Sequence, residues 1–145
     1  MKDELKRQLK GDEGVRPQAY KDSLGLLTIG VGRLIDPSRK GSGLRPYEID
    51  FLLSNDIDDR IDQLTRNLPW FQNLDDARKG VLLNMAFQLG VDGLLGFKNT
   101  LKLIETGDYQ TAAAKMLDSK WASQTPDRAK RMSKQMATGE WQFSE

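Results

Sequence analysis

Glu13-Gly14-Val15-Arg16-Pro17-Gln18-Ala19-Tyr20-Lys21-Asp22-Ser23-Leu24-Gly25-Leu26-Leu27-Thr28-Ile29-Gly30-Val31-Gly32 is the stretch on which the reading of this chain turns. Before it, Leu5 and Leu9 lie one helical turn apart, so residues 3–11 read as an amphipathic helix ended by Gly11 and Gly14. Glu13 then stands at or just past the helix C-terminus, where the macrodipole favours the protonated, proton-donating form of an acid. Eight residues separate Glu13 from Asp22, and five more lead to Thr28. Ser23-Leu24-Gly25 carries turn chemistry, and Thr28, Ile29 and Val31 are β-branched, so residues 16–36 read as a small antiparallel sheet. Gly30 and Gly32 weaken a strand and call for a bulge or a close approach of ligand or backbone. Two carboxylates on different local elements, with a hydroxyl beside the second, supply an acid and a water-holding group.

The rest of the composition narrows the chemistry. The chain has 145 residues, no Cys and no His, and a net charge of +1. Thiolate nucleophiles, disulfides, imidazole bases and histidine-held zinc are excluded, which leaves proton transfer mainly to carboxylates. No calcium-loop spacing appears, and neither a metal nor a cofactor is implied. Near-neutral charge argues against a nucleic-acid-coating protein. The charge is nonetheless uneven. Residues 1–40 hold nine Lys/Arg against six Asp/Glu, residues 41–97 five against nine, and residues 98–145 eight against six. Basic ends around an acidic middle fit either solvated helix faces or a cleft for an anionic polymer. No apolar run approaches the ~20 residues of a membrane span, and the polar start Met1-Lys2-Asp3-Glu4-Leu5 has no signal-peptide core.

Downstream, residues 35–43 read as a loop and Pro46 as a first helical position. Ile49, Leu52, Leu53, Ile57, Ile61 and Leu64 then repeat over a long amphipathic helix. Asp75 or Asp76 starts a helix that is apolar nearly all round, from Val81 to Leu89, and belongs in the middle of a core. Shorter helices are expected near 98–105, 108–118 and 126–136, the last opened by Pro126.

The ordered run Glu13…Asp22…Thr28, with Asp12-Glu13-Gly14, Tyr20-Lys21-Asp22 and Thr28-Ile29-Gly30-Val31-Gly32, resembles the catalytic segment of the T4-type phage lysozymes. Asn84–Gly90, Gly96–Leu101, Trp121–Arg131 and Thr138–Trp141 continue the resemblance over nearly the whole chain. The family has a longer insertion near residues 35–43, and this chain is shortened there.

The resemblance implies an α+β, lysozyme-like fold in one domain spanning 1–145. A small antiparallel sheet lobe (about 13–60) and a larger helical lobe (about 61–145 plus the N-terminal helix) are joined by a long helix. It implies hydrolysis of the β-1,4 bond between N-acetylmuramic acid and N-acetylglucosamine in peptidoglycan. Glu13 is the general acid, and Asp22 and Thr28 position water on the opposite face of the sugar. Inversion follows, with the carboxyls about 6.5–9.5 Å apart. Arg128 matches the arginine that pairs with the catalytic Glu and draws it toward the ionised form, against the macrodipole. Leu34, Phe87, Thr100, Lys115 and Gln124 match saccharide-binding positions or segments, with Gln88 a further polar candidate. Lys115 stands where the family has Asn and suits a carboxylate instead. Arg33 replaces a family His and is expected to pair with Asp56.

The biological role implied is that of an endolysin for host cell lysis. It would be a monomer held in the host cytoplasm, reaching the wall through a hole made by a phage membrane protein. A tail-associated lysozyme and a non-catalytic peptidoglycan-binding module are the alternatives. A lytic transglycosylase has no need of the second carboxylate, and Asp22 argues against it.

Overall fold

The computed structural model describes the backbone of residues 1–21, 27–30, 33–34 and 44–144, and side chains for residues 1–15 and 44–144. Seven α-helices run through the described residues: α1 (Lys2–Glu13), α2 (Pro46–Asn67), α3 (Asp76–Leu95), α4 (Lys98–Glu105), α5 (Tyr109–Leu117), α6 (Lys120–Gln124) and α7 (Pro126–Thr138). A single 3-10 turn, Phe71–Asn73, follows α2.

The expected helix starts rest on local chemistry that the structure reproduces. Pro46 and Pro126 open α2 and α7, where a missing N–H has no partner to lose. Glu48 folds back on the Arg45 N–H at 3.3 Å. Asp75 caps α3 by accepting from the Arg78 N–H at 3.2 Å. Helix α1 runs to Glu13, two residues beyond the expected end. The short α6, capped by the Ser119 hydroxyl on the Ala122 N–H at 3.2 Å, lies in a segment read without a helix of its own. Within α3, Gly90 adopts φ 77, ψ 161 and breaks the helical path. Glycine is the residue that takes this conformation without strain.

Helix dominates the described residues, and strand pairing is confined to β1 (Arg16–Lys21), β2 (Leu27–Gly30) and β3 (Arg33–Leu34). They pair antiparallel in the order β1-β2-β3, with Tyr20 opposite Thr28 and Thr28 opposite Leu34. The β1–β2 register shifts between Arg16 and Tyr20, the interval that holds Pro17. A proline cannot donate to a ladder, and β1 is an edge strand, where that is tolerated. The expected turn at residues 23–25, and the loop at 35–43, fall outside the described residues.

Helix α3 is the centre of the packing, with Val81 through Ala86 all buried. Around it gather Leu5 and Leu9 of α1, Ile57 and Leu64 of α2, Phe71, Ile104 of α4, Met116 of α5, and Met132 and Met136 of α7. Apolar burial of this extent is the main stabilising term, at roughly 1.5–3 kcal/mol for each large side chain taken fully from water. After α7, Gly139 takes a left-handed φ of 72. The tail then crosses back over α1 and α3. The Trp141 ring sits against Gly80, Ser144 lies on Gly11, and Phe143 stacks on Trp141 with Arg7 4.0 Å above its ring. Among the described residues no single helix is long and apolar enough to cross a membrane.

Candidate active site

The C-terminal end of α1 faces the N-terminal end of α7. Glu13 is the last residue of α1, and Gly14, at φ 77, turns the chain out of the helix. Asp12 and Glu13 therefore sit where the α1 dipole disfavours negative charge, and Arg128 sits in the first turn of α7, where positive charge is disfavoured. Each charge is misplaced on its own helix and well placed against the facing one. Arg128 Nη2 donates to Glu13 Oε1 at 3.1 Å, and Arg128 Nε lies 3.7 Å from Asp12 Oδ2. Arg131, one turn further along α7, donates to Asp12 Oδ1.

Helix α3 supplies the third wall. Asn84, fully buried, accepts from Arg128 Nε at 2.9 Å through its side chain and from Nη2 at 3.4 Å through its backbone carbonyl. Its amide nitrogen donates to Asp12 Oδ2 at 2.9 Å and to Gln8 Oε1 at 3.0 Å. Gln8 passes the chain on to Gln135 Oε1 at 2.6 Å and to the Gln142 carbonyl at 2.9 Å. No buried side-chain nitrogen or oxygen among the described residues lacks a hydrogen-bond partner. A fully satisfied buried network fixes its members, and a single deletion leaves a buried charge or amide exposed to loss.

The expected site residues divide by location. Glu13 and Arg128 are brought together as the resemblance implied. Asp22 lies outside the described residues. Thr28 and Leu34 are cross-strand partners by backbone register on β2 and β3, and their side chains lie outside the described residues. Phe87 and Gln88 follow Asn84 on the next turn of α3, both half-buried. Gln88 Oε1 accepts from Trp121 Nε1 at 2.8 Å, and its nitrogen donates to Thr125 at 3.5 Å. The Arg60 guanidinium stands 5.1 Å above the Phe87 ring. Thr100 is buried on α4, Lys115 is exposed on α5 and Gln124 is exposed on α6. None of these last three is joined to Glu13 by a hydrogen bond or ion pair among the described residues. Arg33, the expected partner of Asp56, has its side chain outside the described residues. No group of three or more carboxylates among the described residues is placed to hold a metal ion.

The sequence places Asp12, Asn84 and Arg131 inside segments that resemble the family but assigns them no site role, and Gln8 is not singled out. Asn84 carried a signal: it is a lone amide inside the apolar run of α3, and a buried amide requires partners. Asp12 stands in the word Asp12-Glu13-Gly14, but nothing local gives it a role apart from that of its neighbour.

The helical fold thus presents one acid at a helix end, held by a guanidinium. The phage lysozyme family model matches residues 10–136, and the chain belongs to that family. It is a lysozyme-type, cell-wall-hydrolysing enzyme. It is 32% identical over 160 residues to probable T4-type lysozyme 1 of Dictyostelium discoideum, covering 93% of this chain and 94% of that one. It is 35% identical over 127 residues to the endolysin of Salmonella phage P22, covering 83% of each. It is 31% identical over 134 residues to peptidoglycan hydrolase gp36 of Pseudomonas phage phiKMV, covering 91% of this chain and 15% of that protein.

Proposed function

We propose that the enzyme is a muramidase that cleaves the β-1,4 bond between N-acetylmuramic acid and N-acetylglucosamine in peptidoglycan. Glu13 protonates the departing glycosidic oxygen. Asp22 carries the negative charge that stabilises the oxocarbenium-like transition state and, with Thr28, holds the attacking water on the opposite face, giving inversion. The observation that carries the reading is the 3.1 Å contact between Arg128 and Glu13, which holds a half-buried acid in one orientation at a helix end. A solvated end acid with no catalytic task needs no such anchor.

The same reading takes residues of about 13–60 as a small sheet lobe and α2 as the connection to the helical lobe, with glycan strands lying between the two. Leu34, Phe87, Gln88, Thr100, Lys115 and Gln124 are the proposed saccharide contacts. The biological role is that of an endolysin, acting as a monomer from the host cytoplasm after a hole-forming phage protein opens the inner membrane. The alternative, a tail-associated lysozyme used on infection, is supported by 30% identity over 159 residues to the pre-baseplate central spike protein Gp5 of Enterobacteria phage T4, covering 93% of this chain and 28% of that protein.

The test is clearing of outer-membrane-stripped Gram-negative cells by wild type, Glu13→Gln and Asp22→Asn, with mass analysis of the released fragments. Wild type alone should clear and leave reducing muramic-acid ends. Anhydro ends would mark a transglycosylase. Equal clearing by Glu13→Gln would remove Glu13 from the reaction.

A further inference from the structure

Asp12 has no part in the proposed reaction. Yet its side chain is wholly enclosed, while that of Glu13 beside it remains 20% exposed. An enclosed carboxylate at the C-terminal end of a helix is disfavoured twice, by desolvation and by the dipole. Its contacts show what it does there. Oδ1 accepts from Arg131 Nη1, and Oδ2 accepts from the Asn84 amide nitrogen at 2.9 Å.

These contacts are not independent of Glu13. The Asn84 amide can face two ways. Asp12 and Gln8 both offer acceptors, so its nitrogen points to them and its oxygen is left for Arg128 Nε at 2.9 Å. With Nε fixed, the planar guanidinium has one orientation, and Nη2 is delivered to Glu13 Oε1. Arg131 anchors the other carboxylate oxygen, so Asp12 is held from both sides. The chain of causes runs from Asp12 to Asn84 to Arg128 to Glu13, across α1, α3 and α7.

We propose that Asp12 is a positioning residue of the active site. By orienting the Asn84 amide, it locks the Arg128 guanidinium that aims Glu13. The inference rests on Glu13 being the general acid. The deciding variant is Asp12→Asn, which keeps size but offers a donor on one side. Either Arg131 or the Asn84 amide then meets donor against donor.

The measurement is kcat and KM on purified peptidoglycan, each normalised to folded protein, together with the nitrogen-15 resolved Nε–H signal of Arg128. In Asp12→Asn, kcat falls about tenfold or more with KM unchanged, in line with the sensitivity of catalysis to misplacement. The Arg128 Nε–H exchanges faster with water. A folded Asp12→Asn with unchanged kcat and an unchanged Arg128 signal overturns the proposal, whatever its melting temperature.

If Asp12→Asn does not fold, Arg131→Lys decides by the same two readouts, because it frees one carboxylate oxygen and leaves the charge in place. Glu13→Gln is run in parallel. If it retains full activity, the acid assignment fails, and the Arg128 signal alone then judges the role of Asp12.

Discussion

The indole N–H of Trp121 donates to Gln88 Oε1 at 2.8 Å, tying α6 to the face of α3 that follows Asn84. Trp121 also meets Phe97 edge-on, with ring centroids 6.0 Å apart. Replacing Trp121 by Phe keeps an aromatic body but removes the donor. The Gln88 oxygen is left without its partner, and stability should fall by about 1–3 kcal/mol. Urea unfolding checks this through the midpoint, with the slope expected to hold. A variant as stable as wild type would show that water replaces the indole without loss.

Arg128→Lys is expected to be far from conservative. Lysine has one ammonium and no fork, and it cannot reach Asn84 and Glu13 in the fixed geometry of Nε and Nη2. Lytic activity per folded molecule should fall by about 10²-fold, the effect of a displacement near 1 Å. Substitution by Met should lose activity and also stability by about 3–5 kcal/mol, since it leaves the enclosed Asp12 with Arg131 as its one remaining cation among the described residues and takes the guanidinium from Glu13. Rates on purified peptidoglycan and thermal unfolding separate the two effects.

Gly80→Ala should destabilise the protein through the tail. A Cβ at Gly80 runs into the six-membered ring of Trp141, a rigid group already stacked on Phe143. Overpacking of this kind costs about 1–3 kcal/mol. The environment of the Trp141 ring should change with it, which near-ultraviolet circular dichroism, or the emission of a variant that keeps Trp141 as its one tryptophan, would report.

One ion pair sets an acid-side dependence. The Lys6 ammonium, 2.9 Å from Asp50 Oδ2, holds the Asp50 carboxyl below its ordinary value of 3.8, with Lys10 adding a smaller pull. The folded protein thus binds this proton less readily than the unfolded chain. The contribution is complete above 3.8 and is lost as pH falls through the lower folded value. Asp50 is about half exposed, so the pair is worth at most about 1 kcal/mol. Lys6→Met should reduce stability at pH 7 and leave it nearly unchanged in strong acid. A difference that persists undiminished at low pH would assign the loss to packing of the lysine stem instead.

What could be read from the chain was whatever short-range chemistry decides. Pro46, Asp75 and Pro126 each start a helix by a local device, and the helices they start were expected in place. The five-residue α6 is shorter than the window over which helical periodicity can be counted, so Ser119 was its only signal. The break at Gly90 was hidden for a related reason, because a glycine flanked by apolar residues reads as a tolerated weak point. In the site, Glu13 and Arg128 were paired only because the surrounding words matched a family. The rest of the network was illegible. Gln8 meets Gln135 across 127 positions and Asp12 meets Arg131 across 119, and no local pattern encodes such pairings.

The tail that crosses over α1 has a consequence for synthesis. Helix α1 leaves the ribosome well before α7, but Leu5 and Leu9 belong to a core shared with α3 and α7, and Gln8 finds Gln135 and Gln142 only when those residues have emerged. Until then the helix that carries Glu13 can pair with α2, as Lys6 does with Asp50, but it lacks its partners on α7 and in the tail, and contacts of such long range form late. In a wall-degrading enzyme built this way the acid is aimed only once α7, which carries Arg128, has been made.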